Sequence, residues 1–300
     1  MNYINSPIHK TKFNDHLLFV KRDDLLDTKF SGNKARKFYY YLVHEFPKVK
    51  KLISYGSPQA NSLYSFSQLA KIKNWEFDFY VDHIASYLIK NPEGNYFYAS
   101  ENGANIIDLS SSKTSLSPNE YIKRIVLDNE EETLFVQEGG REKEAEFGVK
   151  ILANEIMSWA NENKLTNLVV VLPSGTGTTA LFLQKNLPFK VITCACVGGE
   201  SYLKSQFLSL EKDESLHPTI VQHRKKYHFG KLYREFYEMH IKVYEQTNIE
   251  FDLLYDPLGF LSLEKYLEEN RDDQTYLYIH QGGLLGNKSM LKRYKRKQYH

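Results

Sequence analysis

A lysine in the segment SGNKARK, residues 31–37, stands where its side-chain amine could do chemistry. Ser31 occupies the position where a helix would begin and suits the role of N-cap, so Lys34 would project from the first helical turn. The positive end of a helix dipole disfavours a nearby cation, which would lower the pKa of the Lys34 ammonium and favour the free amine that a Schiff base requires. A plainer interpretation stays open, in which Lys34, Arg36 and Lys37 are ordinary surface charges.

A second segment, VLPSGTGTTALFL (171–183), joins an apolar strand to a helix through a loop of glycine, serine and threonine. Its two glycines let the backbone curl so that several N–H groups converge, and the helix dipole adds positive potential. The loop has neither the Gly-Lys-Ser/Thr of a Walker loop nor the third glycine of a dinucleotide fingerprint. It therefore indicates a cradle for a phosphate-sized anion, although a simple turn would also explain it. The candidate contacts are Gly175, Thr176, Gly177, Thr178 and Thr179.

Three further segments begin where an apolar run ends. In ISYGSPQANSLYSFSQLA (53–70), the polar side chains Gln59, Asn61 and Ser62 open a helix, and caps with a turn explain them about as well. The other two segments are YDPLGF (255–260) and YIHQGGLLGN (278–287). All five segments follow predicted parallel strands, and open α/β sheets bind ligands at the carboxyl ends of their strands. Together they predict one site.

The elements that must position these residues alternate between short apolar runs and helical patterns. Several runs are continuously apolar, as in parallel strands that are buried on both faces. The helical patterns between them carry apolar residues on one face, so the alternation predicts an α/β protein with parallel sheets. The predicted strands are LLFV (17–20), KLISY (51–55), FDFYV (77–81), NIIDL (105–109), TLFVQ (133–137), NLVVVL (167–172), FKVITCACV (189–197), FDLLY (251–255) and TYLYI (275–279). The predicted apolar helix positions are Phe38, Tyr41 and Leu42, then Leu63, Phe66 and Ala70, then Val149, Leu152, Ile156 and Trp159.

Composition limits the classes of function. The chain has 300 residues, of which 42% are hydrophobic, and this length is typical of two domains. Lysine and arginine number 39 against 37 aspartate and glutamate, so no overall basic charge points to nucleic acid. The first residues lack the apolar core of a signal peptide, and no run approaches the roughly 18 apolar residues of a membrane helix. We expect a cytoplasmic protein that binds neither nucleic acid nor a membrane.

The two cysteines, Cys194 and Cys196, lie two residues apart in the apolar run VITCACV. On a strand they would share a face, where neighbours at this spacing are badly placed for a disulfide. No second cysteine pair or histidine cluster completes a metal site with four ligands. We therefore interpret both as core thiols and predict no bound metal.

The five segments, in this order, resemble the 1-aminocyclopropane-1-carboxylate deaminase and D-cysteine desulfhydrase family, whose members use pyridoxal 5'-phosphate (PLP). KRDDL (21–25) and SGNKARK (31–37) resemble the family's Lys-Arg-Glu/Asp-Asp strand and its Gly-Gly-Asn-Lys-x-Arg-Lys segment, with one glycine replaced. QANS (59–62) resembles the family's Gln-Ser-Asn-His. QEGG (137–140) and HQGG (280–283) resemble Pro-Glu-Gly-Gly and His-Thr-Gly-Gly. The likeness runs nearly from end to end.

The resemblance implies a fold of the tryptophan-synthase-β type, with two open twisted, mostly parallel sheets, helices on both faces and PLP in the cleft between two domains. Residues 1–48 and 136–300 would form the large PLP-binding domain, and residues 49–135 the small one. Lys34 would carry PLP as a Schiff base, Asn61 would contact the phenolic oxygen of the ring, and the loop from Gly175 to Thr179 would hold the phosphate. Gln281 and Tyr255 are candidate partners of the ring nitrogen. The candidate substrate contacts are Gln59, Ser62 and Tyr255.

The chain departs from the family pattern in two places. Family members use the serine of Gln-Ser-Asn-His in catalysis, and that position is Ala60 here, with Ser62 in place of the histidine. The deaminases carry Tyr-Glu-Gly-Lys after Asp-Pro, which supplies a tyrosine and the acid that contacts the pyridine nitrogen. Here Asp256 and Pro257 are followed by LGFLS. These changes affect the substrate and the reaction, while the lysine and the phosphate loop remain.

The resemblance implies a PLP-dependent lyase or deaminase that acts on a small amino acid. We expect β-elimination like that of D-cysteine desulfhydrase, with release of ammonia and a keto acid, in which the freed Lys34 amine acts as base at the α-carbon. The alternatives are true deamination of the cyclopropane acid and a catalytically weak protein that binds PLP or an amino acid. The basic end KSMLKRYKRKQYH also suits a nucleic-acid arm, but we interpret it as a solvated terminal helix. A homodimer is possible.

Overall fold

The structure is a computed structural model that describes residues 3–30, 32–112, 114–127, 132–270 and 273–299. Ser31, the predicted N-cap, lies outside these residues. The strands are β1 (Ile8–Phe13), β2 (His16–Arg22), β3 (Lys51–Tyr55), β4 (Glu76–Val81), β5 (Asn105–Asp108), β6 (Thr133–Phe135), β7 (Leu168–Ser174), β8 (Lys190–Ala195), β9 (Thr219–Ile220) and β10 (Thr275–His280). The α-helices are α1 (Gly32–Val43), α2 (Asn61–Lys73), α3 (Ser86–Lys90), α4 (Gly94–Glu101), α5 (Pro118–Tyr121), α6 (Ala145–Glu162), α7 (Thr178–Asn186), α8 (Glu200–Leu210), α9 (Arg234–Thr247), α10 (Asp256–Glu269) and α11 (Asn287–Arg296).

The strands form two sheets. The larger has six strands in the order β1-β2-β10-β7-β8-β9, and all its neighbours run parallel except β1 and β2. The smaller has four parallel strands in the order β5-β4-β3-β6. Every residue of β7 is buried, as expected of a central parallel strand that is covered on both faces. The predicted α/β class, with two mostly parallel sheets flanked by helices, is confirmed.

Eight of the nine predicted strands occur, and FDLLY (251–255) is the error. Its Asp252 carboxylate accepts hydrogen bonds from the backbone N–H groups of Leu254, at 2.8 Å, and Tyr255, at 2.6 Å. A side chain that takes up these donors folds the segment into a turn and competes with a strand ladder. The run is apolar because it is buried as a loop. The opposite error concerns β1, which the sequence pattern did not predict. This strand lies at the edge of the sheet, and its residues are mostly half-buried or exposed.

Helix α1 lies between the two sheets and contacts both halves of the structure. Its Phe38 stacks on Phe66 of α2, with ring centroids 4.0 Å apart. On another face it approaches α6 so closely that a Cβ atom at Gly148 would lie 1.9 Å from the Arg36 carbonyl oxygen. The four-stranded sheet is built from residues 51–135 and the six-stranded sheet from the rest of the chain. The division into two domains at these boundaries stays a prediction.

A buried ion cluster fixes α1 against the larger sheet. The Arg36 guanidinium donates to both carboxylate oxygens of Asp23, at 3.0 and 2.8 Å, and to both of Glu155, at 2.6 and 2.8 Å. Lys21 pairs with Glu155 at 2.6 Å. Arg36 is 1% exposed and Lys37 is 2% exposed. The interpretation of these residues as surface charges is therefore wrong.

The two cysteines are buried free thiols, with sulfur atoms 3.9 Å apart, and they belong to an apolar cluster with Tyr233, Phe236 and Leu258. The core-thiol interpretation is confirmed. Among the described residues, no group of three or more metal-ligating side chains occurs. None of the helices described is both long and apolar enough to span a membrane.

Replacing Arg36 with methionine should strongly destabilise the protein. The change leaves the Asp23 and Glu155 carboxylates buried with too few partners, and breaking a buried pair in this way costs about 3–5 kcal/mol. Urea unfolding measures the loss. Arg234→Met is the matched control, because its ion pair with Glu238 is exposed and worth under about 0.5 kcal/mol. Equal shifts of the unfolding midpoint in both variants would contradict the structural role of the cluster.

Candidate active site

The start of α1 is held against the loop that follows β10. The backbone N–H of Asn33 donates to the Gln281 carbonyl oxygen at 3.0 Å, and its side-chain amide donates to Gln281 Oε1 at 2.9 Å. Gly32 has a φ of +66°, and a Cβ atom there would lie 2.1 Å from the same carbonyl oxygen. Glycine is therefore required at the residue before Asn33. The contact brings Lys34 to the carboxyl ends of the strands of the larger sheet.

Gln281 connects three of the predicted segments. Its Nε2 donates to the carbonyl oxygen of Pro173 at 2.7 Å, while its Oε1 accepts from Asn33. Both ends of the amide thus contact protein groups, which suits a positioning residue. The contact between Gln281 and the ring nitrogen stays a prediction.

The Lys34 amine is buried in the region where the segments meet. It donates to Asn33 Oδ1 at 3.3 Å, and the carboxyl groups of Glu138 and Asp252 are close enough to interact with it electrostatically. Burial lowers the pKa of Lys34 to about 8, because a charged ammonium loses its hydration there. The predicted direction of the shift is confirmed, and burial is its main cause. A substantial fraction of this amine is neutral near physiological pH.

A second buried amine, on Lys37, lies beside the predicted phosphate loop. It donates a hydrogen bond to the Gly139 carbonyl oxygen, and a Cβ atom at Gly139 would lie 3.4 Å from the Thr176 methyl group. Burial and the neighbouring Lys34 place the pKa of Lys37 well below its usual value. The sequence signal was present but overlooked, since residues three apart on a helix share a face.

The glycine-threonine loop has the predicted strand-loop-helix geometry. Gly177 has a φ of +74°, and a Cβ atom there would lie 2.4 Å from the Phe207 ring. The hydroxyl groups of Thr176 and Thr178 are 3.1 Å apart at the start of α7. The Thr179 hydroxyl is buried and has no hydrogen-bond partner among the described residues. A buried polar atom of this kind indicates a missing ligand or water.

The segment around Asn61 supplies the opposite side of the site. Asn61 Oδ1 accepts from Asn95 at 2.8 Å, and its Nδ2 lies 2.7 Å from where a Cβ atom of Gly283 would be. The amide of Gln59 is buried, and neither its oxygen nor its nitrogen has a partner in the described part of the chain. Ser62 is 3% exposed on α2. Gly283 belongs to the HQGG segment, so the third and fifth predicted segments meet here.

Asp252 is a site residue that the sequence analysis missed. Its Oδ1 accepts the two backbone bonds of the turn, whereas its Oδ2 is buried and has no partner in the residues described. That free oxygen lies 3.0 Å from the position of a Gly283 Cβ atom, on the same side as Asn61. Burial raises the pKa of Asp252 to about 7. Asp252 could not be identified from the sequence because it lies inside the apolar run FDLLY (251–255), whose pattern predicts a strand.

The LGFLS residues after Pro257 contribute no polar group to the site, as the sequence indicated. Gly259 packs in helix α10 against the Tyr278 hydroxyl, and Phe260 is 1% exposed in the core. Tyr255 lies at the site instead, with its hydroxyl 3.5 Å from where a Cβ atom of Gly175 would be. The structure thus brings a tyrosine and, with Asp252, an acid to the site from positions just before Asp-Pro.

Taken together, the fold and the site define a two-sheet α/β protein built around a buried lysine amine at the carboxyl edge of its larger sheet. No family model matches the chain, and no curated protein matches it. Its fold matches a solved ACC deaminase homologue with a TM-score of 0.77 at 19% identity, over 96% of this chain and 93% of the other. A cysteine synthase from Entamoeba histolytica gives 0.69 at 13% identity over 97% and 89%. A hydrogen sulfide-producing enzyme from Fusobacterium nucleatum gives 0.65 at 13% identity over 94% and 97%. These similarities confirm the predicted fold.

Asp252→Asn should stabilise the PLP-free protein at neutral pH. The carboxyl pKa is raised from 3.8 to about 7, so between these values the folded state holds a proton that the unfolded chain has lost, and stability falls as pH rises. Asparagine does not titrate, so the free energy of unfolding of the variant does not fall in this way. The difference in unfolding free energy between the variant and the wild type should therefore grow from about pH 4 to pH 7, to on the order of 2–4 kcal/mol.

Thermal or urea unfolding at a series of pH values measures this effect. Asp273→Asn, a change at an exposed position, is the matched control and should follow the wild-type dependence on pH. An Asp252→Asn advantage that is the same at pH 4 and pH 7 would contradict the assigned burial of the free carboxylate oxygen.

Proposed function

We propose that this protein is a PLP-dependent enzyme that acts on a small amino acid. The observation that carries the proposal is a buried lysine amine with a pKa of about 8, surrounded by buried polar atoms that have no partner within the described chain. PLP needs an amine for its aldehyde and polar contacts for its phosphate, its phenolic oxygen and its ring nitrogen. The site offers groups of each kind.

The residues fit PLP in the following way. Lys34 would hold its aldehyde carbon. The loop from Gly175 to Thr179, with the Lys37 amine beside it, would hold the phosphate, because backbone N–H groups, hydroxyls and an amine can all donate hydrogen bonds to a phosphate anion. Asn61 would contact the phenolic oxygen. The free Asp252 oxygen, on the same side as Asn61, is better placed for the ring nitrogen than either earlier candidate, since both ends of the Gln281 amide are engaged and Tyr255 lies at Gly175.

When bound, PLP supplies an electron sink for breaking bonds at the α-carbon of an amino acid. The chain's own residues supply the rest. A general base is most efficient when its pKa lies near the operating pH. The Lys34 amine has a pKa of about 8, so its neutral form can take the proton from the α-carbon. Buried Asp252 keeps a carboxyl group near that amine.

We propose β-elimination from a small amino acid as the reaction, with D-cysteine-desulfhydrase-like release of ammonia and a keto acid. Ala60 has no hydroxyl where the resembled family uses a serine, which removes a polar group from the site. Simple elimination depends mainly on the lysine base. Solved structures of similar fold include a hydrogen sulfide-producing enzyme and a threonine deaminase, which supports chemistry on amino acids.

Deamination of the cyclopropane acid is the second candidate. One observation favours it: the site regains a tyrosine and an acid through Tyr255 and Asp252. A protein that only binds PLP or an amino acid is the third. A homodimer remains a prediction. Two buried free thiols are typical of a reducing compartment, so the proposal includes a cytoplasmic location.

The protein loaded with PLP should be yellow, and Lys34→Ala should abolish the visible absorption band without unfolding the protein. The band requires the bond between the cofactor and this amine, while the side chain is only half-buried at the site. Absorption spectroscopy with circular dichroism measures both properties. Lys29→Ala, at an exposed position, should keep the band. A band that survives in Lys34→Ala would assign the cofactor to another lysine.

The protein should release pyruvate from cysteine or β-chloroalanine at least about tenfold faster than it releases ketobutyrate from the cyclopropane acid. Each polar contact to a transition state is worth about 1–4 kcal/mol, or ten- to thousand-fold in rate, and Ala60 removes one. Coupled assays of both products on one preparation decide the ranking. Faster turnover of the cyclopropane acid would favour the second candidate function, with Tyr255 in the role of the missing serine.

A further inference from the structure

The Glu138 carboxyl group lies at the site, and the proposed mechanism does not use it. Glu138 is the second residue of the QEGG segment, and its Oε1 lies 3.3 Å from where a Cβ atom of Gly56 would be. Gly56 belongs to the segment 53–70, which also contains Gln59 and Asn61. Glu138 therefore stands between the polar segment of the smaller sheet and the lysines of α1.

Charged groups surround this carboxyl without pairing with it. Lys34, Lys37 and Arg141 interact with it electrostatically as cations, and Asp82 does so as an anion. Within the described chain, neither carboxyl oxygen accepts a hydrogen bond, and no cation lies in ion-pair distance. The Arg141 guanidinium instead donates to Gln206 and, at 2.6 Å, to Gln137.

The backbone around Glu138 is held firmly, so the free carboxyl has a defined position. Lys37 donates to the carbonyl oxygen of the next residue, Gly139, whose φ of +65° turns the chain. Burial raises the pKa of the carboxyl above its ordinary value, which keeps a proton on it to higher pH than in water. A fixed, unpaired carboxyl with a raised pKa beside a reactive amine is suited to donate a proton.

We propose that Glu138 is the acid that protonates the leaving group, and that the substrates are amino acids whose β-substituent departs poorly as an anion, such as a hydroxyl or thiol. This inference rests on the proposed function. It adds a catalytic residue and a substrate class to it.

The proposed elimination moves one proton onto Lys34 and one proton off Glu138. The Lys34 amine takes the α-proton, and the electron pair of the Cα–H bond forms the double bond between the α- and β-carbons. The bond from the β-carbon to the leaving atom breaks, and its electron pair stays on that atom. Glu138 gives the atom its proton, so water or hydrogen sulfide leaves as a neutral molecule. The Glu138 carboxylate then regains a proton from solvent, and the Lys34 ammonium releases its proton to solvent. Water then hydrolyses the enamine product to pyruvate and ammonia.

The test compares three substrates that differ only in their leaving group: β-chloroalanine, cysteine and serine, each supplied as both enantiomers. Chloride needs no proton, whereas hydroxide leaves poorly without one. In the PLP-loaded protein, Glu138→Gln should lower the rate with serine by about 100-fold or more, the range of general acid catalysis. It should change the rate with β-chloroalanine less than about threefold. The effect on cysteine should lie between these values.

Glu142→Gln is the matched control. It makes the same chemical change four residues away, at a carboxyl that already accepts a hydrogen bond from the Gln137 backbone at 2.9 Å, and it should not alter the ranking of the leaving groups. The visible spectrum and the PLP affinity of Glu138→Gln should match those of the wild type. A second measurement needs no variant: in the wild type, the rate with serine relative to β-chloroalanine should fall as pH rises and the acid loses its proton.

Each other outcome overturns the proposal. If Glu138→Gln slows all three substrates equally or loses PLP, the residue supports the site as a counter-charge and is not the acid. If the wild type eliminates only chloride, or if the serine ratio does not change with pH, no acid acts on the leaving group. Failure of the proposed function looks different, because a wild type that does not bind PLP or converts none of the three substrates would refute that function itself.

Discussion

Burial of three cations on one short helix is the constraint on which the rest of this structure depends. Removing a cation from water carries a large energetic cost unless an anion or a hydrogen-bond acceptor replaces the lost hydration. Helix α1 buries three basic groups within four residues, at Lys34, Arg36 and Lys37. The lost hydration is replaced in a different way at each position. Those differences separate the part of the helix that holds the structure from the part that carries chemistry.

Arg36 is fully compensated. Two carboxylates surround its guanidinium, so its charge is stable and its position is fixed against β2 and α6. Within the described chain, the Lys34 amine donates to an amide oxygen and the Lys37 amine to a carbonyl oxygen, with no carboxylate in ion-pair distance, and burial lowers the pKa of both. A rigid anchor thus stands between two amines whose protons are easily lost. Such an arrangement places a reactive amine accurately, which is what an active site requires.

Most of the fold could be predicted because buried parallel strands are recorded directly in the sequence. Runs such as LVVVL (168–172) contain no polar residue, and the order of these runs and the helices along the chain determines the fold class. The edge strand β1 could not be found in this way, because its exposed lysines hide it. FDLLY was misassigned for the opposite reason, since a buried turn is as apolar as a strand. Because of this error Asp252 was not predicted as a site residue, although its Oδ2 is a buried oxygen with no partner in the described part of the chain.

The site was predicted where backbone geometry dictates residue type, as at Gly177 and Gly32, whose positive φ and close neighbours demand glycine. It was missed where function depends on charges brought together by folding. Helical spacing places Lys37 on the face of Lys34, but nothing in the sequence positions of Glu138 and Asp252 shows that both lie near these lysines. Only the tertiary structure shows which charges are buried together without partners.

The central claim is that Lys34 is the amine that binds the cofactor, and one measurement tests it directly. Incubating the protein with PLP, reducing the product with borohydride and mapping tryptic peptides by mass spectrometry locates the modified lysine. Modification blocks cleavage at that lysine, so we expect the label on a peptide that runs through Lys34 to Arg36. A label on Lys37, or one spread over exposed lysines, would contradict the account.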